Sequence, residues 1–108
     1  MTEVVIAGIG QVPVGEHYEQ TLRDMGVQSL TAALRDSGDL KPQALYIGNM
    51  LGSIVSHQAN LGALFTDYAH LGPIESYTAE AAGASGAAAL RMGYLAILSG
   101  YVDTVAVL

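Results

Sequence analysis

The segment SYTAEAAGASGAAAL, residues 76–90, has the organisation that often presents a reactive side chain: an extended stretch, a turn of small residues and then a helix. Free N–H groups at the start of that helix, together with the helix dipole, would favour a developing negative charge. Yet the turn holds Gly83, which has no side chain, and the sequence contains no cysteine.

Small residues surround Gly83 and would let a ligand approach the backbone: Ala81, Ala82, Ala84 and Gly86. Alanine and glycine are equally suited to close packing of a buried helix against a sheet. The residue types and their spacing therefore leave a binding turn and a simple packing contact as open alternatives.

Two glycines near the start, Gly8 and Gly10, follow an apolar run in the way of a dinucleotide-binding turn. Pro13 stands where that pattern needs its third glycine, and the second apolar run ends in GNM, without an acidic residue for a ribose hydroxyl. The pattern favours a tight turn between a strand and a loop over a nucleotide site.

Charge and composition exclude several classes of function. The sequence has 4 basic and 10 acidic residues and no cluster of Lys or Arg, so we expect no nucleic-acid partner. The histidines at 17, 57 and 70 lack the i, i+4 spacing of a helical metal pair, and without cysteine no disulfide or thiolate site can form. We expect no metal site, and the lack of cysteine favours a cytoplasmic protein.

The chain is apolar for its size: 51% of its 108 residues are hydrophobic and 13% are charged. Small soluble domains ordinarily carry more charge, because much of their surface faces water. Polar residues or glycine interrupt every apolar stretch before the ~20 residues of a membrane-spanning helix, and no signal peptide is visible. We therefore expect no membrane segment, and protein outside this sequence covering the apolar surface.

Patterning predicts alternating strands and helices. EVVIAGIG (3–10) reads as a strand buried on both faces, and Thr21 with Asp24 caps a helix that Gly38 ends. A second strand over 44–50 is followed by a loop over 51–58 and a helix over 57–72. Three further elements follow: an extended segment over 75–81, a helix over 85–100 buried between layers, and a strand over 103–108. The resulting order, β-α-β-α-β-α-β, predicts a layered α/β fold with right-handed crossovers.

The chain resembles the N-terminal portion of the thiolase superfamily, and most closely the sterol-carrier-protein-like thiolases of prokaryotes. The resemblance rests on VVIAGIGQVPVGE, ALYIGNML and EAAGASGAAALRMGYLAILSGYVDTVAVL. It implies a thiolase-like layered α-β-α sandwich, of which residues 1–108 would be the first, incomplete part of the N-terminal half.

The resemblance also implies an activity and its residues. Thiolases read E-A-A-C-A-S-G where this chain has EAAGASG, so Gly83 occupies the position of the nucleophilic cysteine and retains only the backbone N–H of an oxyanion hole. Ser85 is a poor substitute, since its hydroxyl would point elsewhere. The loop over 51–58, with Leu51, Gly52 and Ser53, would line the acyl pocket. The family's other catalytic segments, N-E-A-F, G-H-P and a second cysteine, would lie beyond Leu108.

The reaction implied is Claisen condensation, or thiolysis of a 3-oxoacyl-CoA, with a coenzyme A thioester as substrate and no separate cofactor. A Cys-to-Gly change made to trap a ligand would give this sequence, and so would a natural member that has abandoned acyl transfer. Alternatives are a cysteine-free aldolase acting on a CoA thioester and a scaffold subunit of an acyl-CoA multi-enzyme complex.

The resemblance implies partners as well. We expect a homodimer or tetramer, because ESYTAEA (75–81) occupies the position of the family's dimer interface. Related prokaryotic thiolases bind hydroxymethylglutaryl-CoA synthase through a small OB-fold scaffold protein, so both proteins are candidate partners.

Overall fold

The computed structural model describes residues 2–108. Its helices and strands are α1 (Leu22–Asp36), β1 (Ala44–Gly48), α2 (Gly52–Val55), α3 (Leu61–Tyr68), β2 (Glu75–Ala79), α4 (Ser85–Leu98) and β3 (Val105–Val107).

The three strands form a parallel sheet in the order β2-β1-β3, with β1 in the centre. Tyr46 of β1 stands opposite Tyr77 of β2 and Val107 of β3. Side chains of β1 alternate between two apolar clusters, as the pleat requires. This arrangement confirms the predicted α/β class and its parallel sheet.

Helices cover both faces of β1. On one face Leu45 and Ile47 pack with Leu30, Leu61 and Phe65, which belong to α1 and α3. On the other face the cluster contains Ala44 and Tyr46 of β1, Ala89 of α4, and Val102. The sheet therefore lies between two helical layers, and α4 is the helix on the second side.

The start of α1 follows the predicted capping pattern. The Oγ1 of Thr21 accepts the N–H of Asp24 at 3.1 Å, and Oδ2 of Asp24 accepts the N–H of Thr21 at 2.9 Å. The Thr21 N–H holds the pKa of Asp24 below its ordinary value, because that hydrogen bond favours the ionised carboxylate. The helix stops before Gly38, whose φ of +80° lies in the left-handed region that glycine tolerates.

The predicted strand over 3–10 does not form, and this prediction was wrong. The segment has no strand partner among residues 2–108, and most of its side chains are exposed, 75% for Ile6. It lies against α1 instead: a Cβ at Gly8 would stand 2.4 Å from the carbonyl oxygen of Ala33, and the Ile9 N–H donates to Asp36. β-branched composition favours an extended backbone but does not by itself supply a pairing partner, and β1 already pairs with β2 and β3.

The region between β1 and β2 also differs from the prediction. Gly52–Val55 forms a single helical turn inside the predicted loop over 51–58. The following helix was predicted over 57–72 but covers only Leu61–Tyr68, because the left-handed φ angles of His57 and Asn60, +51° and +54°, cannot continue a helix.

The helix α4 starts at the predicted residue and ends two residues before Gly100, where the prediction placed its end. Its buried residues form one stripe of Ser85, Ala89 and Gly93, whereas Leu90 and Tyr94 are about half exposed. The prediction that α4 is buried between layers holds for one face only within residues 2–108. No helix of that part of the chain has both the length and the apolar character needed to cross a membrane.

Candidate active site

The turn between β2 and α4 lies at the carboxyl edge of the parallel sheet, where open α/β sheets commonly bind ligands. The strand β2 ends at Ala79 and α4 begins at Ser85. Ala82 has a φ of +46°, a conformation that a non-glycine residue adopts rarely. The N–H of Ala84 donates to the carbonyl of Ala81 at 2.9 Å and closes the turn.

Gly83 lies in open space at the apex of this turn. The residue is exposed, and a Cβ built on it would meet no atom within 4 Å. Its φ is outside the left-handed region, so an L-amino acid could adopt the same backbone. Neither packing nor backbone conformation therefore requires glycine here, and the packing alternative left open by the sequence does not explain Gly83.

Donor groups remain available at the start of α4. The N–H groups of Gly86 and Ala87 have no acceptor inside the helix, as at any helix N-terminus, and the N-cap residue Ala84 has no capping side chain. The Gly83 backbone forms an isolated bridge with Ala81 within the same turn. The first turn of α4 carries no acidic residue that would neutralise the helix dipole. The turn can thus bind a carbonyl oxygen or an oxyanion through backbone donors, but it supplies no nucleophile.

Close contact between β1 and α4 fixes the position of this helix start. A Cβ at Gly48, the last residue of β1, would lie 2.4 Å from the carbonyl oxygen of Ser85 and 2.6 Å from the backbone of Gly86. Sequence analysis did not single out Gly48, whose signal is a glycine that ends a buried strand. Because only a residue without Cβ fits, Gly48 sets how near α4 begins to the carboxyl edge of the sheet.

We expect Gly48→Ala to lower the free energy of unfolding by about 1–3 kcal/mol, the usual cost of forcing an extra methyl group into a packed contact. Urea denaturation of the purified protein measures this loss. The matched control is Gly86→Ala, since a Cβ at Gly86 meets nothing within 4 Å and should cause no loss. Equal denaturation midpoints for the two variants would contradict the close approach.

The loop predicted to line an acyl pocket borders a surface hollow of about 500 Å³. Gly52 and Ser53 line it, together with residues of the α3 start and of β2 such as Asn60 and Thr78. Leu51 does not line the hollow, and its side chain is 47% exposed. Gly83 does not line the hollow either. Gly52 and Ser53 therefore share the hollow with residues of β2 but not with Gly83.

Asn49 shapes this loop and escaped the sequence analysis. Its Oδ1 accepts the N–H of Leu51 at 3.1 Å and that of Gly52 at 2.6 Å. An asparagine directly after a strand and before a leucine–glycine pair is the available signal, because such side chains often bond the backbone two residues on.

A tyrosine pair connects the edge strand β2 to the sheet. The rings of Tyr46 and Tyr77 stack with centroids 6.0 Å apart, and the Tyr46 hydroxyl donates to Glu75 at 2.5 Å. Burial, with the Glu75 carboxylate beside it, raises the pKa of Tyr46 to about 12. These contacts join the side chains of β1 and β2 along the strand that leads to the Gly83 turn.

The remaining candidates from the sequence do not converge. Gly8 and Gly10 pack against α1 rather than forming an open phosphate turn. A ring nitrogen of His17 lies 2.6 Å from the Pro13 carbonyl, while His57 and His70 stand in separate loops with left-handed φ. Among residues 2–108, no three His, Cys, Asp or Glu residues come together as metal ligands.

The chain is similar over nearly its whole length to two curated proteins, each named acetyl-CoA acetyltransferase. It is 39% identical to the protein of Methanothermobacter thermautotrophicus over 109 aligned positions, which cover 97% of this chain and 28% of the relative. It is 38% identical to that of Methanocaldococcus jannaschii over 111 positions, covering 99% of this chain and 28% of the relative. The chain resembles part of an acetyl-CoA acetyltransferase. It spans little more than a quarter of the length of these relatives, and no family model matches it.

Proposed function

We propose that this chain is the N-terminal segment of a thiolase-type acyl-CoA acyltransferase whose nucleophile position is occupied by Gly83. The open space at Gly83, at the start of a helix with free N–H donors, is the observation that carries the proposal. Similarity to two proteins named acetyl-CoA acetyltransferase supports it. In this form the chain would bind an acyl-CoA but form no acyl-enzyme.

The proposed chemistry is Claisen condensation, or thiolysis of a 3-oxoacyl-CoA. In a member with a thiolate at this position, sulfur attacks the acyl carbonyl and coenzyme A is expelled as its thiolate, giving an acyl-enzyme thioester. A base then removes the α-proton of a second acyl-CoA, and the resulting carbanion attacks the thioester and releases the enzyme thiolate. A backbone N–H at position 83 would stabilise the oxyanion, and this group survives in Gly83. The coenzyme A thioester is the substrate, and we propose no further cofactor and no metal.

The hollow beside α2 is the proposed acyl-binding region. Gly52 and Ser53 line it, and Thr78 of β2 stands on its other side. Leu51 would contribute only if its exposed side chain turns towards the ligand.

The proposed assembly is a homodimer or tetramer that acts in the cytoplasm. Its support is the position of β2 at the edge of the sheet, with Tyr77 and Thr78 exposed. Exposed apolar side chains such as Ile6, Ile9 and Leu90 agree with further protein around this segment. A small OB-fold scaffold protein and hydroxymethylglutaryl-CoA synthase are the proposed partners in a larger complex.

A cysteine-free aldolase is the second candidate, favoured by the loss of the nucleophile while the oxyanion donor remains. Calorimetric titration of the full-length protein with acetyl-CoA, followed by incubation with a 3-hydroxyacyl-CoA, separates the candidates. Binding without cleavage is the expected result. Cleavage of the hydroxyacyl-CoA would replace our proposal with the aldolase, and lack of any CoA binding would leave the scaffold function.

A further inference from the structure

Ser85 is the buried polar residue of the described chain, 6% exposed at the first position of α4. Its hydroxyl makes two hydrogen bonds, both to the turn that precedes it. Oγ accepts the N–H of Ala81 at 2.9 Å and donates to the carbonyl of Ala82 at 2.7 Å. One side chain thus connects the helix start to the two residues before Gly83.

The turn that Ser85 bridges is strained. Ala82 holds a φ of +46°, which is unfavourable for a residue with a Cβ and persists where surrounding contacts enforce it. The Ser85 hydroxyl holds the carbonyl of Ala82 directly, and the Ala84 N–H holds that of Ala81. No other side chain among residues 2–108 forms a hydrogen bond to the backbone of residues 81–84.

We propose that Ser85 is a positioning residue whose hydroxyl clamps the 81–84 turn and so fixes where residue 83 points its N–H and any side chain. The inference deepens the proposed function and rests on it for its catalytic consequence. Ser85 itself touches no substrate. It acts through the backbone, by keeping Ala82 in the left-handed conformation and residue 83 against the helix N-terminus.

The test uses the full-length protein carrying Gly83→Cys, in which the introduced thiol reports its own surroundings. Its alkylation by iodoacetamide is followed against pH, with peptide mapping to identify position 83. A helix N-terminus lowers the pKa of a thiol held against it. We expect Ser85→Ala to raise that pKa and to slow alkylation at neutral pH severalfold, and Ser85→Thr, which retains a hydroxyl, to restore part of the loss.

The matched control is Ser99→Ala at the other end of α4. The Ser99 hydroxyl also makes two hydrogen bonds to nearby backbone: it donates to the carbonyl of Ala96 at 2.8 Å and accepts the N–H of Tyr101 at 3.3 Å. Its loss should leave the pH profile of the thiol unchanged. A profile that responds equally to Ser85→Ala and Ser99→Ala, or to neither, would overturn the proposal.

A second comparison removes the strain instead of the clamp. Glycine adopts a positive φ without penalty. Adding Ala82→Gly to Ser85→Ala should therefore lower the pKa of the thiol at position 83 part of the way back and restore part of its alkylation rate. If Ser85→Ala does not fold alone, the double variant is compared with Ala82→Gly alone, and an unchanged profile between those two overturns the proposal.

The readouts separate this inference from the proposed function. Ser85→Ala should lower kcat for acyl transfer by the introduced thiol with little change in KM, since the acyl-CoA binding surfaces are untouched. A Ser85-dependent thiol profile without acyl transfer in any variant would sustain the positioning role and refute the thiolase function. Acyl transfer together with a thiol pH profile that does not change in Ser85→Ala would support the thiolase function and refute the positioning role.

Discussion

Gly83→Cys in the full-length protein is expected to create acyl transfer from a simple acyl-CoA where the glycine form has none. The new side chain would enter open space, because a Cβ at Gly83 meets no atom within 4 Å, and the φ angle suits an L-residue. The N-terminus of α4 would favour its thiolate. Removing a nucleophile that works with a base costs on the order of 10⁶-fold in kcat in the protease subtilisin, so the gain should be large. Steady-state release of coenzyme A measures it.

The matched control is Gly86→Cys. A Cβ at Gly86 also meets nothing within 4 Å, and the residue lies in the first turn of the same helix. A thiol placed there would also lie near the start of α4, but inside the helix and away from the nucleophile position. Acyl transfer by Gly86→Cys at the rate of Gly83→Cys would show that any exposed thiol suffices and would contradict the site.

Thr78→Glu should convert the proposed homodimer of the full-length protein into monomers. Thr78 is exposed on β2, an edge strand of the sheet described here, and an edge strand offers unpaired backbone groups to another chain. A twofold axis would bring the two introduced carboxylates close together, where their repulsion opposes association. Sedimentation velocity at several concentrations measures the change.

Thr2→Glu is the control for the same change in residue type, since Thr2 is exposed and lies outside the sheet. It should leave the oligomer intact. An unchanged oligomer for Thr78→Glu would count against β2 as the interface and against the proposed assembly.

Local signals predicted several elements well. The capping pair Thr21 and Asp24 encodes the start of α1 through bonds within four residues of chain, and Gly38 encodes its end through a single φ angle. The helix α4 was predicted to start at Ser85, as observed, because a long apolar stretch after a small-residue turn has few alternatives. Each of these signals acts over a few residues and can be read in the sequence.

Elements that depend on distant partners were harder to predict. The run over 3–10 has strand composition, but it pairs with none of the described strands and packs on α1 through Gly8 and Gly10 instead. The helix predicted over 57–72 is shorter because His57 and Asn60 adopt left-handed backbone, which neither residue type demands. Both cases show that local propensity does not by itself determine the structure that a segment adopts.

In the candidate site, too, some features could be predicted from the sequence and others depend on the folded chain. The resemblance to thiolases selected Gly83, whereas no pattern distinguishes its open surroundings from the tight contact at Gly48. The two hydrogen bonds of Ser85 to the turn likewise appear only in the folded chain, since the sequence identified this hydroxyl only as a poor substitute for the nucleophile. Steric space and hydrogen-bond direction are properties of the folded chain.

Mass spectrometry of the full-length Gly83→Cys protein after incubation with acetyl-CoA tests the central claim most directly. We expect one acetyl group per chain, mapped by peptide analysis to position 83 and removed by added coenzyme A. An unmodified protein, or acetylation at other residues with position 83 free, would contradict the claim that Gly83 occupies the nucleophile position of an acyl-CoA acyltransferase.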